Sequence, residues 1–133
     1  MNIGYLLSGL GAGLTFALHV WGGGPEFLEP FLATLTDPRL RAMSVILWHA
    51  VSMTLALQTV TMLWLARHPS RPLGLFVAAA HLGWAALFLI VGQVMLGTIW
   101  DLGQWTIFAV LAGLTLWGAA RPDTATSSAH PVP

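Results

Sequence analysis

The chain has 133 residues, 56% of them hydrophobic and 8% charged, with a mean hydropathy of +0.76. A soluble domain carries about 25% charge, so this composition argues against a water-soluble globule. Five Arg balance five Asp and Glu, and there is no Lys and no Cys. That leaves no basic patch for nucleic acid and removes disulfides, thiolate metal sites, iron–sulfur clusters and cysteine nucleophiles.

No Asp, Glu, Lys or Arg occurs in residues 1–25, 42–66, 72–100 or 102–120. Each stretch can supply the roughly 20 apolar residues that a helix needs to cross a hydrocarbon core. The runs are long and lack strand alternation, so helices are predicted near 3–21, 41–66, 73–96 and 102–119. Gly22-Gly23-Gly24-Pro25 is expected to stop the first. Residues 25–35, PEFLEPFLATL, place Phe27, Leu28, Phe31 and Leu32 at helical spacing, which predicts a short helix at the membrane surface. Asp37-Pro38 reads as an N-cap followed by Pro at the first helical position. Arg67 to Pro72 is a polar turn. Gly97 and Asp101 bracket another, with Asp101 a candidate cap. The expected fold is therefore all-α: an integral membrane four-helix bundle, up-down-up-down, with a short interfacial helix between helices 1 and 2. Residues 1–120 form the transmembrane domain and 121–133, rich in Pro, Ser and Thr, a disordered cytoplasmic tail. A cleaved leader over residues 1–24 is the competing reading. It lacks a basic start and an A-x-A site.

Arg67, Arg71 and Arg121 fall on one side of such a bundle and Arg39 and Arg41 on the other, which favours cytoplasmic termini. Trp21 and Trp100 then mark one interface, Trp64 and Trp117 the other. Small residues at steps of three or four predict close helix packing in lipid: Gly4, Ser8 and Ala12 in the first span, Ala56 in the second, and Gly74, Ala78 and Ala85 in the third. His19, His49 and His81 share these faces. An ionisable group at membrane depth is costly and points to function. By helical rise, His19 lies about 10 Å and His49 about 7 Å outward of mid-span, whereas His81 lies about 5 Å inward. His19 and His49 are therefore the pair expected to meet, with Glu26 one Gly-rich loop away. Imidazole binds iron, copper and zinc, often with a carboxylate nearby. A haem or a Cu/Zn ion on His19 and His49 is one reading, a proton or small-ligand site that includes Glu26 and His81 another. The third is purely structural hydrogen bonding. Thr54, Gln58 and Thr61 form a second polar stripe on the second span, read as contacts between helices or subunits. No GxxxxGK[ST], HExxH or GxSxG is present.

The segments ALHVWGGGPEFLEPFLA and LWHAVSMTLAL resemble a group of small, uncharacterised bacterial four-helix membrane proteins. That group has a His before a Gly-rich turn, then an acidic residue and a Pro, and a Trp-His pair in its second helix. The matching positions are His19, Gly22, Gly23, Glu26, Pro30, Trp48 and His49, and the likeness runs up to Trp105. The resemblance implies the topology and the choice of His19 and His49. It implies no activity. The expected role is non-enzymatic: an accessory or binding subunit of the bacterial inner membrane. Its partners would be the lipid bilayer and a homo-oligomer or larger membrane complex. A membrane redox protein or a small-solute or proton carrier, through the same histidines, is the alternative.

Overall fold

The computed structural model describes residues 1–121. Expectations about the tail and His130 lie outside them. The described residues form four helices and no strand: α1, Ile3–Thr34; α2, Pro38–Arg67; α3, Arg71–Leu96; and α4, Trp105–Ala120. The first three are long and apolar enough to cross a membrane. The fourth, at 16 residues, spans about 24 Å, somewhat less than a hydrocarbon core.

The glycines do not stop α1. From Leu18 to Leu28 the helix widens to i→i+5 turns and carries on, so the expected surface helix is its C-terminal end. The physical reason lies in Pro25. In an α-helix its ring would strike the carbonyl four residues back, and its missing N–H would leave a gap in the ladder. Wider turns relieve the clash, while the missing N–H leaves its gap in either ladder; at the far end of the segment the Glu29 N–H bonds the Gly24 carbonyl. The free carbonyls at the end of α1 are met by Arg41, whose Nη1 donates to Leu32 O at 2.6 Å and Leu35 O at 3.3 Å.

The next boundary is where the sequence puts it. The Asp37 side chain accepts from the Arg39 N–H at 2.8 Å, and Pro38 opens α2. The last turn of α3 widens from Gly92 and ends at Gly97, whose φ of 71° suits a residue without Cβ. Asp101 is not the cap of α4. Trp105 Nε1 donates to Ile99 O at 3.0 Å, which draws the 97–104 connection inward, and the helix starts only after Gln104.

Contacts of α1 with α2 and of α1 with α4 run in reversed order. Asn2 N–H donates to Ala66 O at 2.7 Å, Gly13 lies beside Thr59, and His19 lies beside Trp48, which pairs α1 with α2. Gly4 sits against the Gly118 backbone, where a Cβ would come within 2.6 Å of the amide nitrogen, and Ser8 bonds Thr115 at 2.7 Å, pairing α1 with α4. α3 packs chiefly on α4. The core forms two apolar clusters. One holds Tyr5, Met62, Leu65, Val77 and Ala119, the other Ala12, Leu55, Ala85, Phe108 and Leu111. Gly4, Ser8, Ala12, Gly74, Ala78 and Ala85 are buried, and Ala56 is half-buried.

Candidate functional site

A cavity of about 510 Å³ opens between the wide-turn segment of α1 and the adjoining parts of the other three helices. Its walls are aromatic. On one side the His19 ring stacks on Trp48, centroids 4.0 Å apart and planes 20° apart. On the other, Phe108 lies near-parallel to both Trp84 and Phe88, each at 5.8 Å. Gly22 and Gly23 supply wall without side chains. A Cβ on Gly23 would come within 3.0 Å of the Trp48 ring, whereas one on Gly22 would meet nothing within 4 Å. The widened helix thus sets Trp48 close against the Gly23 backbone and leaves space beside Gly22.

Few polar groups face this space: Thr15, His19, Glu26, Gln104 and the indoles of Trp48 and Trp84. His19 Nε2 lies 3.4 Å from the Trp48 carbonyl. A carbonyl can only accept, so the proton belongs on Nε2 and Nδ1 is left as an acceptor. Gln104 Oε1 is buried without a hydrogen-bond partner. Glu26 also lines the cavity, and its side chain is exposed.

His19 and Glu26 therefore share one wall, but the structure does not bring His49 into it. His49 is exposed and does not line the cavity. The face of α2 turned inward is Trp48, Ser52, Leu55, Gln58, Met62 and Leu65, whose larger side chains fill the space between helices. In the small-residue row, His49 and Val60 are exposed and Ala56 is half-buried. Among the described residues, no group of three or more His, Asp or Glu could hold a metal ion.

His81 belongs elsewhere. It lies between Val77 and Ala85 on α3, fully buried, and neither ring nitrogen has a hydrogen-bond partner. Three other buried polar residues take equivalent places between the two apolar clusters: Ser8 on α1, Gln58 on α2 and Thr115 on α4. Ser8 and Thr115 bond each other, and Thr115 also donates to Leu111 O at 2.7 Å. Gln58 Oε1 has no partner. Every helix thus contributes one polar side chain to a layer in mid-core. The sequence carried its signal as the step from Leu55 through Gln58 to Met62, masked by the more conspicuous small-residue row.

Fold and site together define a class: an all-helical protein with three apolar helices of membrane-crossing length and an internal aromatic cavity. No family model matches the chain, nor does any curated protein or solved structure.

Proposed function

We propose that this is an integral membrane four-helix bundle, up-down-up-down, that serves as a non-enzymatic binding subunit for a small, flat, largely apolar molecule held in the cavity. The membrane setting is supported by where apolar side chains stand. Leu10, Leu14, Met53, Leu57, Val60, Phe76, Ile90 and Val110 are all more than half exposed, and they come from all four helices. Meanwhile His81, Ser8 and Thr115 are fully buried. An apolar exterior of this extent has no stable place in water. Trp21, two residues past His19 on α1, and Trp100, in the 97–104 connection, are exposed, as are Trp64 and Trp117 near the C-terminal ends of α2 and α4, as interfacial belts require. Binding rests chiefly on one observation: two stacks of near-parallel rings face one cavity, of the size that ligand pockets usually have.

A brominated naphthalene tests this. It is flat, makes no hydrogen bonds and quenches tryptophan on contact. In nanodiscs, quenching of the wild type should saturate at one probe per chain above the linear background of partition into lipid. Trp48→Ala removes one of the stacked rings from a half-buried position and should abolish most of the saturable part. Purely linear quenching in both proteins would remove the binding reading.

A further inference from the structure

The cavity has an apolar neighbour. A second, apolar groove of about 310 Å³ runs along the seam between α1 and α4, lined by Gly11, Leu14, Val110 and Leu114. The two spaces share Thr15, Leu18 and Ile107. From Ile107 to Leu114 the groove follows α4 for about 10 Å, by helical rise, away from the cavity and toward mid-helix. Leu14 and Val110 are exposed, so the groove lies open along the outside of the helices. The shallow apolar groove thus abuts the polar-ended chamber along Thr15, Leu18 and Ile107.

At the polar end, the buried group without a partner is an acceptor. His19 Nδ1, Gln104 Oε1 and the Glu26 carboxylate all accept, and Gln104 Oε1 is a buried acceptor still in want of a donor. Leaving such an atom unmatched is unfavourable. A ligand that suits this end brings hydroxyl hydrogens on a flat ring. One that suits the groove brings a single hydrocarbon tail.

Resting on the binding role proposed above, we propose that the ligand is a tailed hydroquinone, a dihydroxylated aromatic ring carrying one alkyl or prenyl chain. Its ring lies between the His19–Trp48 and Trp84–Phe108–Phe88 stacks. Its hydroxyls donate to His19 Nδ1 and Gln104 Oε1, and its tail lies in the α1–α4 groove. On α4 this placement sets the head at the N-terminal end, beside Gln104, and the tail toward mid-helix.

Four probes in nanodiscs, with concentrations taken as mole fraction in lipid, test the assignment by displacement of the brominated naphthalene. They are decylhydroquinone, its dimethyl ether, tail-free methylhydroquinone and decyltrimethylammonium. Decylhydroquinone should bind about tenfold tighter than its dimethyl ether, which keeps the shape but loses both donors; tenfold corresponds to about 1.4 kcal/mol. His19→Phe keeps a ring on Trp48, and Gln104→Leu keeps the bulk; each should erase most of that difference, read as the ratio of the two affinities within the same variant. Decylhydroquinone should also exceed methylhydroquinone, and Val110→Trp or Leu14→Trp, both on the exterior, should cancel the tail's advantage alone. Equal affinity of the hydroquinone and its ether overturns the assignment, as does tighter binding of the ammonium compound. A tail advantage that survives both Trp variants overturns the groove. In each of these cases saturable naphthalene binding leaves the cavity reading standing; loss of that binding in the wild type removes both.

Discussion

Gln58 illustrates how much one side chain can decide. It stands on the same stripe as Leu55 and Met62, is nearly fully buried, and its Oε1 has no partner. A buried, unmatched amide oxygen costs about 1–3 kcal/mol. Gln58→Met keeps the length and removes the amide, so it is expected to raise stability by about 1 kcal/mol, read as a higher Tm of the purified protein. A lower Tm would mean that the amide is held by interactions in the polar layer. At the same scale, the sequence made His49 and His19 look equivalent, since each sits one or two turns from a span end among small residues. Their difference comes from a neighbour: Trp48 takes the inward position beside His19, and the next residue on a helix points about 100° away. No local property of His49 records this.

Among the elements, α1 departs furthest from the sequence reading. Three glycines and a proline in succession are ordinarily a stop, because each Gly costs about 1 kcal/mol and Pro about 3 kcal/mol in a helix interior. The helix continues because its turns widen, and wide turns of this kind are often found at functional sites. The glycines are not interchangeable within it. A methyl group added at Gly24 would meet nothing within 4 Å, whereas one at Gly23 would meet the Trp48 ring at 3.0 Å. Gly24→Ala should therefore stabilise the protein by about 0.5–1 kcal/mol through reduced freedom of the unfolded chain. Gly23→Ala should gain less or lose stability, and should weaken naphthalene binding as Trp48 shifts. Thermal melts of the two variants side by side check the sign. The Asp37-Pro38 start of α2 needed no such correction, because capping is settled by residues next to one another in sequence.

For the whole molecule, the distribution of polarity is the deciding feature: apolar side chains outside, a layer of Ser8, Gln58, His81 and Thr115 inside. The helices also meet at backbone distance where Gly4 faces Gly118, as small residues allow in lipid. The proposed topology places residues 36 and 68 at opposite ends of α2, hence on opposite faces of the membrane. The chain has no Cys, so single-cysteine variants need no background removal. His68→Cys and Thr36→Cys lie at exposed positions. A membrane-impermeant maleimide applied to intact cells should label only the Thr36→Cys variant, with His68→Cys reacting after lysis. Labelling of both from one side would refute the topology, and the reverse pattern would refute cytoplasmic termini.

By itself, the sequence determined that the described chain is helical, that three stretches are apolar over membrane-crossing lengths, and that α2 begins at Pro38. These follow from sums over neighbouring residues: hydropathy accumulates along a run, and a cap acts within one turn. Only the tertiary structure decided which face of α2 points inward, that α1 passes through its glycines, and that His19, Glu26, Trp48 and Gln104 line one space while His49 does not. Those outcomes depend on how the side chains of four helices fill a shared volume, and that complementarity is not written in any one segment.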